Sequence, residues 1–394
     1  MNDTGLRTRL TRMATRGPIP LRGLSADEHA KPAGSLGPVL CFGTIATVLT
    51  FVFAYVAYVL LENQFPAAPL EIWRRWDTVH YLNIARNGYG TDPEREMLII
   101  WPPLYPWLIR GFRWLAGSYL PAGLFISFVS YLAAIVGLYR LVDLDFPRDT
   151  AMRTVIYISI FPAAYFLHAA YTEALFLALV VWSFLSARRG RWGWAGLLAG
   201  LASFTRITAF GLLPALCFEY LVQREFRLRQ VRADALWLLL IPLGFGVYLW
   251  VNQSIYDTPF AFLERSRVHM HKVLSAPWVG AQAVWGSGIG DGPRRILTVG
   301  VSEIASGVLS GVLVLYAFVR MRTSYAIYLC VSWATFAFTS FWASTTRYIL
   351  PLFPVFILLS VWGERRTLHW AMCMTFGMAY TLLLALFIRG AWAF

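Results

Sequence analysis

The sequence predicts an all-α polytopic membrane protein. Of its 394 residues 58% are apolar and only 14% charged, and the mean hydropathy is +0.56. Soluble domains run about 45–50% apolar and about 25% charged, which argues against a cytosolic globular enzyme and excludes a disordered chain. The apolar residues also fall in charge-poor runs of about 20 residues, the length that crosses a hydrocarbon core.

The net charge of +13 comes almost wholly from arginine, because Lys31 and Lys272 are the only lysines. The arginines gather in short stretches between apolar runs, the pattern of cytoplasmic loops under the positive-inside rule. Nucleic acid is therefore not an expected partner; the lipid bilayer is. Cys41, Cys217, Cys330 and Cys373 all lie inside apolar runs, which points away from a disulfide framework or a cysteine metal site.

Residues 1–38 are polar and basic with no hydrophobic period, and read as a flexible cytoplasmic tail ahead of one transmembrane domain, 39–394. Val39–Leu61 is too long for a signal-peptide core and forms the first span, running outward. A first outer loop, 62–118, is rich in Trp, Tyr and Pro. Tyr119–Leu141 returns. Arg153–Leu167 and Ala174–Ser186 form a hairpin with its outer tip at His168–Glu173, and Arg188, Arg189 and Arg191 then mark the inside.

Trp192–Tyr220 is bounded by basic loops at both ends, so the chain must enter and leave on one side within about 28 residues. Two helices of about 14 residues reach only about 21 Å each. The turn between them falls near Ser203–Arg206, at a depth where irregular backbone and an arginine must face protein or a cavity. One long tilted helix with a snorkelling Arg206 is the alternative. Ala233–Asn252 goes out, 253–295 is a second outer loop, and Ile296–Val319 comes in. Tyr325–Trp342 goes out to a short turn, Ala343–Arg347. Tyr348–Trp362 returns, and Leu368–Ile388 ends outside. The sum is about eleven crossings, N-terminus cytoplasmic and C-terminus extracytoplasmic, with every strongly basic loop on one side. No internal repeat is visible.

Ionisable residues at membrane depth or its edge are candidates for function. The richest stretch is Glu71–Tyr89. At helical spacing Trp73, Trp76 and His80 share a face, with Asp77 and Tyr81 beside it and Gly88 as the stop. Such a helix would lie at the outer interface and present one carboxylate, fit to deprotonate an acceptor hydroxyl. Equally, it is an anchor whose Asp77 pairs with Arg74 or Arg75. Trp101-Pro-Pro-Leu-Tyr-Pro106 follows, a rigid aromatic turn that reads as a sugar-stacking surface or as a plain helix breaker. His269 and His271, with Asp257 or Asp291, are a weak metal signal, and no metal or cofactor is expected.

Trp76-Asp77-x-x-His80-Tyr81-x-x-Ile84-Ala85-x-x-Gly88-Tyr89 with Pro103-Leu-Tyr-Pro106 resembles the PIG-V-like mannosyltransferases. Further matches are Ala170-Tyr-Thr-Glu173-Ala-Leu-Phe176, Gly196-Leu-Leu-Ala-Gly200 with Thr205-Arg206, and Arg347-Tyr348-x-Leu350-Pro351-x-Phe353-Pro354. The resemblance covers about residues 71–360. It implies a GT-C type glycosyltransferase, with its site at the outer face and polyprenyl-phosphate-mannose as donor. The acceptor would be a glycolipid, a lipoglycan or a protein. Asp77 matches the family's first-outer-loop aspartate, the expected catalytic base of an inverting transfer. Glu173, Arg206 and Arg347 match polar positions around the donor head group.

On this basis Arg206, Arg347 and Tyr348 are expected at the donor phosphate, and Trp76, His80, Tyr105 and Glu173 at the sugar or acceptor. A structural reading instead pairs Arg206 with Glu173. Two rivals stand beside the mannosyltransferase. One is a transporter or flippase of an anionic lipid, with the arginines as clamps. The other is the same fold using a different polyprenyl-phosphate sugar.

Overall fold

The computed structural model describes residues 35–290 and 295–393. The tail expected at 1–38 lies outside these apart from its last four residues, as does Asp291. Among the described residues all regular structure is helical, apart from one isolated bridge between Leu274 and Thr339.

Five helices are long and apolar enough to cross a membrane: Gly37–Glu62, Tyr119–Val142, Ala233–Tyr256, Val299–Arg320 and Arg366–Ile388. The chain is thus a multi-pass membrane protein. Three of these spans are α1 (Gly37–Glu62), α4 (Tyr119–Val142) and α16 (Arg366–Ile388). The span from Ala233 opens with a 3-10 stretch, Ala233–Leu239, and continues as α9 (Leu240–Tyr256). That from Val299 continues as α12 (Ser302–Arg320). Leu243, Trp250, Leu315 and Met378 stand out from these helices, each at least half exposed, as suits faces covered by lipid.

The central helix is α6 (Glu173–Arg188), packed against α4 on one side and α7 (Trp192–Ser203) on the other. It is buried nearly all round, as its unbroken apolar sequence requires. Helix α7 and α8 (Leu212–Gln223) are the two short helices expected from the flanking basic loops. At 12 residues each they rise only about 18 Å. The chain turns at Phe204–Arg206, Arg206 taking an extended conformation (φ −152°, ψ 141°) before a 3-10 turn at Ile207–Gly211. A single tilted helix is not what forms.

Glycine lets α7 and the Ala233–Tyr256 span touch backbone to backbone. A Cβ on Gly196 would stand 2.1 Å from the Trp237 carbonyl oxygen, and one on Gly244 would stand 2.0 Å from that of Gly200. This is the small-residue packing that helices use where lipid gives no hydrophobic drive to associate.

The segment between the first two spans departs from expectation. Glu71–Tyr89 is not one helix: Glu71–Trp73 is a 3-10 turn, and α2 begins only at Asp77 and runs to Asn87. Trp76 at φ +49° breaks the two apart. Trp73 therefore shares no face with His80. It is wholly buried and packs on Phe51, 4.7 Å between ring centres. Gly88, at φ +74°, ends α2 as expected. The proline cluster does not break structure throughout either. Pro103 caps α3 (Leu104–Ala116), and Pro106 sits in its first turn, where a missing N–H removes no intrahelical bond. The tip of the expected hairpin, His168–Glu173, is buried at every residue.

The close crossing gives a test of the packing. Gly244→Ala should destabilise by about 1–3 kcal/mol, the usual cost of overpacking, read as a lower melting temperature in detergent. Gly246→Ala has nothing within 4 Å of its new Cβ and should leave melting unchanged or raised.

Candidate active site

Three chain breaks bring the expected charged residues together. The first is at Trp76. Immediately after it, the Asp77 backbone N–H donates to the Tyr171 hydroxyl at 3.2 Å, and that hydroxyl donates to the Arg75 carbonyl at 3.2 Å. Thr78 donates to the Ala170 carbonyl at 3.5 Å. Helix α2 is thereby seated on the buried segment leading into α6.

That segment places Glu173 at the first position of α6, where a carboxylate suits the helix dipole. The second break is Phe204–Arg206, and the third is the turn ahead of α14 (Thr345–Ile349). Ser344 there is left-handed at φ +65°. Fully buried Glu303 on α12 pins this turn, accepting the Ser344 N–H at 2.7 Å and also that of Thr345. Ser306 and Thr346 share a hydrogen bond at 2.9 Å.

The result is a chain of alternating charge. Arg347 reaches Asp77 at 2.8 Å through Nη1 and Glu173 at 2.7 Å through Nε. Arg206 reaches the same Glu173 oxygen, Oε1, at 2.5 Å and donates to Thr172 at 3.1 Å. Glu173 is wholly buried and each arginine side chain is 8% exposed; Asp77, at 19%, is the most open of the four. Aromatic rings surround the guanidiniums: Arg347 lies 5.2 Å from the centre of Tyr171 and Arg206 5.3 Å from that of Tyr348. Two carboxylates and two guanidiniums sum to zero charge, which is what an interior of low polarity demands.

The reading in which Asp77 pairs with its near neighbours fails. Arg74 pairs with Glu71 at 3.0 Å, and Arg75 donates to the Ile388 carbonyl at 2.9 Å. Burial pushes the Asp77 carboxyl up, but Arg347 and His80 outweigh it and hold the group below its ordinary value of 3.8. His80 is pushed the other way. Its partial burial lowers it from 6.5 more than Asp77 raises it, so it is neutral at pH 7.

Around Asp77, His80 stacks on Trp101 with ring centres 4.3 Å apart, and Trp76 meets Trp392 edge-on at 5.4 Å. Both rings border the more open end of the charge chain. Tyr105, expected at the sugar, is instead fully buried. Its hydroxyl is engaged with Ser127 at 2.8 Å and the Gly123 carbonyl at 3.0 Å, so it supports Tyr81 from behind. Glu173 faces the arginines, and the Arg206–Glu173 ion pair of the structural reading is present. Tyr348 is stacked on Phe336 at 5.5 Å, beside both arginines.

His269 and His271 do not converge with Asp257. His269 lies 3.4 Å from Glu96, which also pairs with Arg265 at 2.8 Å. Among the described residues no group of three or more His, Cys, Asp or Glu is placed to hold a metal.

Sequence reasoning missed Tyr171, Glu303 and Lys272. Lys272 lies 5.3 Å from the centre of the Tyr348 ring, the ring that Arg206 and Arg347 also flank. A signal did exist for it: it is one of two lysines in a chain that otherwise uses arginine.

Residues 101–250 match the family model described as dolichyl-phosphate-mannose-protein mannosyltransferase. That stretch holds Glu173 and Arg206 but not Asp77 or Arg347. The match supports a membrane glycosyltransferase of the GT-C type. No curated protein matches the chain by sequence. Among solved structures the chain is similar to the Archaeoglobus fulgidus oligosaccharyltransferase complexed with zinc and sulfate, with TM-score 0.47 and 13% identity over 88% of this chain and 53% of that one. The same enzyme tethered to an acceptor peptide containing the NVT sequon gives TM-score 0.44 and 12% identity over 89% and 55%. The chain spans about half the length of these proteins.

Removing a buried partner strands the charge it matched, at about 3–5 kcal/mol. Arg347→Ala strips two carboxylates and should lower melting by that order. Arg206→Ala leaves Glu173 with Arg347 and should cost less. The lowered Asp77 carboxyl adds stability that is full above pH 3.8 and is lost as pH falls through its lower folded value. Acid melting curves of the wild type should therefore fall more steeply below that pH than those of Asp77→Asn.

Proposed function

We propose that this chain is a PIG-V-like polyprenyl-phosphate-sugar-dependent glycosyltransferase that moves a mannosyl residue onto an acceptor hydroxyl at the extracytoplasmic face. One observation carries the reading: the most open member of the buried charge chain is Asp77, a carboxylate kept ionised by Arg347 and bordered by Trp76, His80 and Trp101. The motif around Asp77 and the mannosyltransferase family match further along the chain support the donor class.

In the reaction, the acceptor oxygen attacks the anomeric carbon of the lipid-linked sugar from the face opposite the phosphate. Its proton passes to the Asp77 carboxylate as the new bond forms. The bond from the anomeric carbon to the phosphate oxygen breaks, and the polyprenyl phosphate leaves as an anion. One base suffices, and the sugar inverts. Negative charge grows on the departing phosphate, so fixed cations nearby stabilise the transition state more than the ground state. Arg347 contacts Asp77 while the site is empty. A phosphate that shares Arg347 loosens that ion pair and raises the basicity of Asp77 when it is needed. His80, neutral, orients the acceptor.

The acceptor is a glycolipid, a lipoglycan or a protein hydroxyl. The matched model describes enzymes that mannosylate proteins, which favours including peptides among the acceptors tried. We place the site outside the cell membrane, within the eleven-crossing topology and with the N-terminus cytoplasmic, because the basic loops at 188–191, 224–232, 320–322 and 364–366 then share one side.

Asp77→Asn keeps the shape of the side chain and an acceptor for Arg347 but no base. Transfer from radiolabelled polyprenyl-phosphate-mannose should drop by about a hundredfold or more, with the fold and donor binding kept and melting at neutral pH lowered by the lost charge match. Unchanged transfer removes Asp77 as base. Purified protein offered a panel of polyprenyl-phosphate sugars should favour mannose; inertness to all of them returns the chain to lipid transport. In intact cells an impermeant maleimide should label Asn87→Cys but not Gln230→Cys, and the reverse pattern refutes the orientation.

A further inference from the structure

The two arginines expected to clamp the donor phosphate are committed elsewhere. Both bind Glu173 Oε1, and Arg347 binds Asp77 as well. An incoming phosphate therefore meets guanidiniums whose charge carboxylates already match. Lys272 is in a different position. Among the described residues no carboxylate lies within ion-pair distance of it, and its ammonium makes one long bond, to the Ala343 carbonyl at 3.4 Å. The nearby Glu303 carboxylate is spent on the Ser344 and Thr345 N–H groups. The half-buried ammonium is thus matched by no carboxylate, and it lies beside the Tyr348 ring that both arginines flank.

The loop holding Lys272 is built to hold it there. Its segment pairs with the strand-like stretch ahead of the Arg347 turn: the Ser275 N–H donates to the Phe338 carbonyl at 3.0 Å, and the Ser340 N–H to the Val273 carbonyl at 2.9 Å. Ser340 Oγ donates to the His271 carbonyl at 2.9 Å. His271, directly before Lys272, is left-handed at φ +53°, as Trp76 is directly before Asp77 and Ser344 ahead of Arg347. A residue with a side chain at such angles is strained, and the surrounding contacts must hold it.

We propose that Lys272 is the phosphate-binding residue that first receives the lipid-linked donor, before Arg347 is shared. This rests on the glycosyltransferase reading and deepens it, by assigning donor capture to the second outer loop. An ammonium is a compact point charge with three rotatable donors, suited to seizing a phosphate oxygen without fixed geometry. The arginines, held in place by carboxylates, then act on the departing charge.

The test is direct binding, which needs no turnover. Farnesyl phosphate, farnesol and inorganic phosphate are titrated into full-length protein in nanodiscs, with the melting shift as readout. Wild type should bind farnesyl phosphate saturably and more tightly than either control. Lys272→Met should weaken that binding by about tenfold to a hundredfold, the range for losing one charge-assisted hydrogen bond, and leave the ligand-free melting temperature near wild type. Lys272→Arg should restore most of the affinity. Equal binding by wild type and Lys272→Met overturns the assignment, and so does wild type that prefers farnesol. Wild type that binds none of the three, together with no transfer from any polyprenyl-phosphate sugar, overturns the donor reading itself. Where transfer is measurable, the donor KM of Lys272→Met should rise with kcat less affected, and the acceptor KM should stay unchanged.

Discussion

A guanidinium that must satisfy two carboxylates at once governs the arrangement around it. Arg347 joins Asp77 on α2 to Glu173 at the start of α6, and Glu173 in turn holds Arg206. No single charge of the four is tolerable at that depth, since an unpaired ion taken from water costs several kcal/mol. Their sum is tolerable. The irregular backbone at Trp76, at Phe204–Arg206 and at Ser344 follows from this, because regular helices would carry these side chains past each other.

The opposite end of α6 shows the same physics put to a different use. Arg188, about 22 Å along the helix from Glu173, grips both oxygens of Asp145, at 2.5 and 2.7 Å, and the Tyr325 hydroxyl at 2.7 Å. Glu219 nearby takes two bonds from Arg322 at 2.7 Å, with Ser324 at 2.8 Å and Gln223 at 2.9 Å. Every oxygen of that cluster has a partner, so it ties helices together and has nothing left to bind. The Asp77 end differs. Among the described residues Glu173 Oε2 has no hydrogen-bond partner, and no carboxylate is within ion-pair distance of Lys272. Spare capacity is what separates the candidate active site from the structural knot.

Much of this was legible in the chain itself, and the legible part was local. Basic loops closing both ends of 192–220 required two short helices, and they form with the turn where the arithmetic put it. Gly88 marked its helix end, and the charged residues of the site were singled out one by one. Hidden from the sequence was everything set by distant partners. Helical spacing joined Trp73 to His80, but Trp73 instead fills the gap between Phe51 and Phe387. Tyr105 looked like a sugar platform because aromatics near an interface do; only the Ser127 and Gly123 groups of α4 reveal it as a buried prop. That the His168–Glu173 tip would be buried was hidden too, since nothing nearby in sequence announces the helices that bury it.

The left-handed conformations at Trp76, His271 and Ser344 have a consequence for how this molecule responds to engineering. Glycine reaches such angles with little strain, so each is an obvious position for a stabilising swap. Yet glycine would also let each corner relax freely whenever its contacts loosen. With side chains there, the backbone has one well-braced geometry or a costly departure from it, so aim is coupled to folding. Variants selected only for endurance would thus be drawn towards corners that no longer point.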